Sequence, residues 1–466
     1  MVDKVPAPLQ PPRASAAGAG FLANVNLVFS STAVVYGLSF LVGVTVARLL
    51  GPDGRGASSL YQGTVSLAYA ALSVGIGAAA IYFVSKGELS PRRAMEEGLT
   101  VTIAASAVSG LAVAIVAPLA GGRLVDAGVP YWMLLIAVPA AVQFRAVEGV
   151  LRAQGRFLAV GIIEVLVPLA NLVGLLAVDA AYGLTIWRAI EVWSVASLLP
   201  VCLGYALLGP SAWPTRLGMG AGLRRTLGFG VKGQAGNLVQ LLNYRLDAYL
   251  VLLFVNTAGV GLYSVGVSMS EGLWFVANSV AVVLLPKLSA ADDDYAGETA
   301  SLICRNTMAV TALGAVTLAV VSPLLVPALF GAAFEKSVGP LLWLLPGSVA
   351  LSGAKILSVY VFSRGRPDIN SWISVATLVI TLAADFALIP FFGINGAALA
   401  ATLTYIANLV LTTLAYRRLS GRPIAEALLP RFADQALYVD ALRGTVARLR
   451  PGGAAAAPTP RPGGSS

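Results

Sequence analysis

Twelve apolar stretches follow one another along this chain, each about 20 residues or longer and so long enough to cross a hydrocarbon core of roughly 30 Å as a helix. They run near 22–50, 57–85, 98–119, 130–152, 157–179 and 182–208, then near 228–255, 259–286, 303–330, 338–363, 371–391 and 393–416. Of 466 residues, 57% are hydrophobic and 11% charged. An ordinary soluble domain carries about 25% charged residues, so helices in lipid are the unit to count here. The sequence predicts an all-α polytopic membrane protein with about twelve transmembrane helices.

Charge then sets the topology. The 31 Lys and Arg residues against 22 Asp and Glu give a net charge of +9, which in a soluble protein would point to nucleic acid. Here, if the N-terminus is cytoplasmic, most basic residues fall on cytoplasmic loops and tails, among them Arg92, Arg93, Arg156, Arg224, Arg225, Arg364, Arg366, Arg417 and Arg418. Arg48, Arg55, Arg123, Arg188 and Lys336 fall outside. This bias predicts an even number of spans with both termini cytoplasmic, and no nucleic-acid partner. The first apolar stretch exceeds the roughly 7–15 residue core of a cleavable signal peptide and reads as a retained signal anchor. Histidine is absent, which removes imidazole catalysis and zinc sites of the Cys/His kind. Cys202 and Cys304 lack a CxxC spacing and read as small hydrophobes. No metal or cofactor is expected.

The stretches form two sets of six. Residues 1–21 read as a disordered cytoplasmic N-terminus, 22–208 as an N-lobe, 209–227 as a cytoplasmic linker, 228–417 as a C-lobe and 418–466 as a cytoplasmic tail. Within the tail, residues 424–450 place Leu428, Phe432, Val439, Leu442, Val446 and Leu449 on one helical face with arginines among them, as a helix on the inner leaflet would, before a disordered end. Three echoes link the lobes. LLGPDGRG (Leu49 to Gly56) aligns with FVNTAGVG (Phe254 to Gly261), AQGR (Ala153 to Arg156) with SRGR (Ser363 to Arg366), and YGL (Tyr182 to Leu184) with FGI (Phe392 to Ile394). An even span count per lobe gives both the same orientation, so a pseudo-two-fold axis along the membrane normal is expected, with cargo passing between the lobes.

Charged side chains inside a span cost about 2.5–3.5 kcal/mol each and call for a partner or a wet cavity. The candidates are Glu164, Arg188, Glu191, Arg245, Asp247, Glu271, Lys355 and Asp385. The seventh span is the most telling. Gln234, Asn237, Gln240, Asn243, Tyr244, Arg245 and Asp247 share one arc of about 200°, and Val239, Leu242 and Leu246 take the other. Such a face suits a sugar and phosphate path; the alternative is a polar interhelix interface whose groups satisfy one another. Tyr61, Gln62 and Thr64 repeat the pattern weakly. Arg48 and Arg55 flank a Gly-Pro turn, where Arg48 reads equally as a snorkelling anchor. Arg188 and Glu191, three apart, are expected to pair within their helix. Lys355 calls for a cavity or a partner such as Asp385. Asp247 and Glu271 read as coupling carboxylates or as partners of Arg245. Asp292, Asp293 and Asp294 read as a solvated loop. No GxxxxGK[ST] loop, GxSxG elbow or HExxH helix is present, which removes a nucleotide motor and the common hydrolases.

ARLLGPDGRG (Ala47 to Gly56) resembles the first-helix signature of the polysaccharide-export, O-antigen-type flippases of the multidrug/oligosaccharidyl-lipid/polysaccharide exporter superfamily. The resemblance extends through VLRAQGRF (Val150 to Phe157), NYRLDAYLV (Asn243 to Val251), VGLYSVG (Val260 to Gly266), LLPKLS (Leu284 to Ser289) and FGINGAALA (Phe392 to Ala400). It implies a two-lobed, non-enzymatic exporter whose first, second, seventh and eighth helices line a central cavity. By alternating access, a polyprenyl-diphosphate-linked oligosaccharide would cross the bacterial cytoplasmic membrane. Arg48, Arg55, Arg245 and Lys355 would then hold phosphate oxygens, and Asn237, Gln240, Asn243 and Tyr244, with Tyr61 and Gln62, would complete the cavity. Membrane lipid and other polysaccharide-assembly proteins are the implied partners. Lipid II flippases resemble fourteen-helix chains, which counts against that branch. A cation-coupled multidrug antiporter of the same superfamily is the main rival. A membrane-embedded glycan polymerase or glycosyltransferase would need a large external loop, and the external loops here are short.

Overall fold

The computed structural model of the protein describes residues 14–119 and 130–429. The expected tail before Ala14, the loop bearing Arg123 and the amphipathic segment beyond Leu429 lie outside the described residues. Among them every regular element is helical: α1 (Ala14–Leu72), α2 (Ile76–Ser85), α3 (Pro91–Leu119), α4 (Leu134–Ala153), α5 (Phe157–Tyr182), α6 (Ile186–Ala196), α7 (Leu199–Leu208), α8 (Ala221–Phe254), α9 (Thr257–Gly272), α10 (Trp274–Ala290), α11 (Asp293–Phe330), α12 (Val338–Ser363), α13 (Pro367–Phe392), α14 (Ile394–Ser420) and α15 (Ile424–Leu428).

Among the described residues nine helices are long and apolar enough to cross a membrane, or ten with α9 and α10 taken as one span bent by 42°. α1 holds two crossings, because Gly51 at φ 67° breaks the helix and Pro52, which needs no amide donor, restarts it. α8 has the length but carries Arg224, Arg225, Arg245 and Asp247 along one helix. With the division of α1 and the inclusion of α8, the described residues account for the twelve expected crossings. Lipid-facing stripes are plain: on α11, Leu313, Val316, Val320 and Leu324 stand exposed at near-helical spacing.

Three spans are less regular than the apolar pattern predicts. The second turns at Ser73–Gly75, with Val74 at φ 49°. The sixth divides at Ser197 and Leu198, just before Pro200, whose missing N–H and bulky ring disrupt a continuing helix. The eighth bends at Leu273, after Gly272.

Two bundles result. In the first, Tyr61, Val65, Met95, Val142, Leu151 and Ile163 join α1 to α3, α4 and α5 in one core. In the second, Val251, Tyr263, Leu357, Tyr360, Tyr405 and Tyr416 join α8 and α9 to α12 and α14. The paired turns share a glycine at positive φ: Gly155 and Gly365 lie at φ 73° and 72°, Gly183 and Gly393 at 71° and 56°. The first echo places Gly51 opposite Asn256, the residue that caps α9 by accepting from the Gly259 amide.

At the end bearing the Gly51 turn the bundles meet backbone to backbone. A methyl on Gly56 would lie 2.0 Å from the Thr257 carbonyl, and one on Gly261 would lie 1.9 Å from the Pro52 carbonyl, so only glycine permits the approach. Phe40, Val44 and Ala47 of α1 pack there with Val265, Phe330 and Phe334. At the opposite, basic end the linker is fastened to α3. Its Gly218 amide donates to the Glu96 carbonyl at 3.0 Å, Arg93 donates to the Met219 carbonyl at 2.7 Å, and Thr226 on α8 donates to buried Glu97 at 2.7 Å. Farther along, Asn243 of the same α8 bonds the Ser374 carbonyl of α13 at 2.9 Å.

Candidate functional site

A crevice of about 420 Å³ lies between the bundles, lined by both limbs of α1 and by α8 and α9. That is within the usual range of ligand pockets, roughly 300–1,000 Å³. The second limb of α1 turns Arg55, Ser59, Gln62 and Ser66 toward it, a spacing of three to four residues along one face. α8 contributes Tyr244, Arg245 and Asp247, and α9 contributes Ser264, Ser268 and Glu271.

Arg55 donates from Nη2 to Ser268 Oγ at 3.1 Å. Gly43 makes room for it, since a methyl there would sit 3.0 Å from Nη1. No carboxylate among the described residues is within ion-pair distance of Arg55, and its Nε is buried without a hydrogen-bond partner. Arg245 faces Glu271 loosely, with Nη1 and Oε1 3.8 Å apart. Asp247 is buried, accepting from the Tyr263 hydroxyl and from the Ala248 amide. Thr64 of α1 and Tyr249 of α8 join hydroxyls at 2.9 Å beside the crevice.

The sequence-predicted residues thus divide. Arg55, Gln62, Tyr244, Arg245, Asp247 and Glu271 come together in the crevice. Tyr61 is buried in the first bundle, bonded to Ser194 at 2.9 Å and edge-on to Trp193. Arg48 turns away and donates to the Leu329 carbonyl at 2.7 Å and to that of Ala328, filling the unmet acceptors at the end of α11. Asn243 faces α13, where Thr377 and Thr381 also bond it. Asn237, Gln240 and Lys355 line a second chamber of about 740 Å³ inside the second bundle. Lys355 donates to Asn278 Oδ1 at 2.9 Å, and Asp385 is buried elsewhere with neither carboxylate oxygen hydrogen-bonded. Arg188 and Glu191 do not pair: Arg188 donates to the Tyr182 and Gly183 carbonyls, where a helix end offers stronger acceptors, and Glu191 accepts from Trp187. The aspartate run is ordered at the start of α11, with Asp292 capping the helix and Asp293 paired with Arg364 at 2.5 Å.

Glu164 belongs to a cluster whose other members, Arg145, Glu148 and Arg152, the polar pattern does not mark. Arg145 and Glu148 pair at 2.8 Å, Arg152 bridges Glu148 at 2.7 Å and Glu164 at 3.2 Å, and Arg145 also reaches Tyr69. Arg145, Glu148 and Tyr69 line a third cavity of about 380 Å³ between the bundles, toward the basic end, that shares Asn237 with the chamber. Ser268 and Asn278 also escape the sequence pattern, because isolated Ser and Asn in apolar spans give no signal until a neighbour is placed against them.

The family described as polysaccharide biosynthesis protein matches this chain over residues 45–339. A search of curated proteins returns no match. Among solved structures, the lipid II flippase MurJ in an inward closed conformation is similar at 14% identity and a TM-score of 0.70, over 90% of this chain and 92% of that one. An inward-facing multidrug resistance MATE family transporter of the MOP superfamily is similar at 16% identity and a TM-score of 0.65, over 83% and 94%. A MOP superfamily transporter from Pyrococcus furiosus follows at 13% identity and a TM-score of 0.59, over 86% and 96%. These likenesses show a shared two-lobed transporter fold.

Proposed function

Because the chain belongs to the polysaccharide biosynthesis protein family, we propose that this multi-pass membrane protein is a flippase for a polyprenyl-diphosphate-linked oligosaccharide. It works by rocking two six-helix lobes, residues 22–208 and 228–417, about their crevice. Positive-inside bias makes the basic end cytoplasmic in a bacterial inner membrane, with both termini on that side. The observation that carries the reading is Arg55, a guanidinium facing a polar crevice with no carboxylate among the described residues within ion-pair distance.

A hydroxylated, anionic head crosses hydrocarbon only at great cost, whereas guanidinium and amide groups in a crevice offer charge-assisted hydrogen bonds. Arg55 and Arg245 hold phosphate oxygens, while Gln62, Tyr244 and, toward the basic end, Asn237 and Gln240 receive sugar hydroxyls. The lipid tail stays in the bilayer. Asp247 and Glu271 are the groups through which an ion gradient would act on the cycle. Other polysaccharide-assembly proteins supply and receive the cargo.

Depleting the protein in its native cell and assaying the leaflet on which lipid-linked oligosaccharide accumulates tests this. Build-up on the cytoplasmic leaflet is expected. Even distribution, together with lost resistance to cationic dyes, would instead favour a multidrug antiporter, whose fold is shared.

A further inference from the structure

We propose that the chamber inside the second bundle is an oxyanion-binding subsite separate from the crevice, with Lys355 as its anchor. The identity of the oxyanion rests on the proposed flippase function: it is an anionic group of the glycan-lipid head, either its diphosphate or an acidic sugar.

Lys355 lies about 12 Å along α12 from Ser363, farther than a lysine stem reaches, so its ammonium cannot snorkel to the nearer helix end. Of its three donors, one is used by Asn278 Oδ1, at 2.9 Å. The Trp274 and Tyr244 rings lie 5.2 and 5.8 Å from the ammonium, close enough for a cation-π contact and unable to neutralise it. No carboxylate among the described residues lies within ion-pair distance.

The crevice and the chamber differ in charge. In the crevice, Arg55 and Arg245 share the lining with Asp247 and Glu271; the chamber's lining holds a cation and no carboxylate. Its amides favour the same ligand. Asn278 uses its oxygen on Lys355, and Asn408 uses its oxygen on Thr412 at 3.1 Å, which leaves both NH₂ groups to donate. Asn237 is exposed at its mouth. A cation ringed by amide donors matches a phosphate or carboxylate on a hydroxylated molecule.

The chamber is built wholly from α8, α10, α12, α13 and α14. Apart from the first half of α8, those helices belong to one bundle, so an oxyanion held by Lys355 on α12 travels with that lobe while the crevice beside it changes shape.

The test is binding to the purified full-length protein in detergent, by calorimetry and thermal melting, with inorganic pyrophosphate, glucuronate and the neutral disaccharide maltose as probes. At least one anion should bind and raise the melting temperature, and maltose should bind more weakly. Lys355→Gln should weaken anion binding roughly tenfold or more, the usual scale for a lost charge-assisted hydrogen bond, and Lys355→Arg should recover part of it. Should Lys355→Gln fail to fold, Asn237→Leu at the mouth gives the second reading, with a loss of severalfold expected. Preference for pyrophosphate identifies the diphosphate as the source, and preference for glucuronate identifies an acidic sugar. Absence of anion binding, wild-type binding by the folded variants, or loss confined to Arg55→Gln overturns the subsite. Failure of the leaflet assay with Lys355-dependent binding intact overturns the flippase and leaves the subsite standing.

Discussion

Arg55 on α1 and Ser268 on α9 are joined by a 3.1 Å hydrogen bond that crosses from one bundle to the other, in the middle of the crevice. A ligand oxyanion reaching Arg55 competes with that serine. Arg55→Ala is therefore expected to lower glycan flipping about tenfold or more, on the scale of a lost hydrogen bond to a charged group. Arg55→Lys should recover only part, since an ammonium lacks the planar fork. Leaflet distribution of lipid-linked oligosaccharide in complemented cells measures both; normal export by Arg55→Ala rejects the role.

The seal at the Gly51 turn depends on Gly261, where an added methyl would stand 1.9 Å from the Pro52 carbonyl. Gly261→Ala forces the bundles apart at that end. A cysteine at crevice residue Ser39, with exposed Cys202 changed to Ser, should then react faster with an impermeant maleimide added from outside than in the glycine parent. Equal rates would show that the seal does not depend on this contact.

How much of this was legible in the sequence depends on scale. Turns were readable because glycine at positive φ and proline leave local marks, and Gly155 and Gly365 share a φ of 73° and 72°. The polar face of α8 was readable as a face, yet its arc of about 200° is wide enough to meet two neighbours. Tyr244 and Arg245 therefore enter the crevice, Gln240 enters the chamber, and Asn243, one turn from Gln240, is spent on α13. Arg48 carried no such clue. Its position beside the turn fits a crevice as well as a cap, and only the placement of α11 decides between them.

Asp385 is buried on α13 with both carboxylate oxygens lacking a hydrogen bond. Replacing an unpartnered buried polar group by an apolar one of similar size removes a desolvation cost of about 1–3 kcal/mol. Asp385→Leu should accordingly raise the melting temperature of the purified protein in detergent. A fall would mean that the carboxyl is satisfied by something bound.

Arg48 holds two carbonyls at the last turn of α11. Arg48→Gln is too short to reach both and should cost about 1–3 kcal/mol. The measurement is a thermal melt in detergent, where an unchanged midpoint would show that the cap contributes nothing.

α8 has two masters. Its first turns are stitched by Thr226 to Glu97 in one bundle, and its middle is stitched by Asn243 to Ser374 in the other. Between those stitches lie Gly228, Gly230, Gly233 and Gly236. On the proposed rocking, any swing between the halves would be taken up as curvature of this one rod, so stiffening its glycine-rich stretch would slow the cycle without touching cargo.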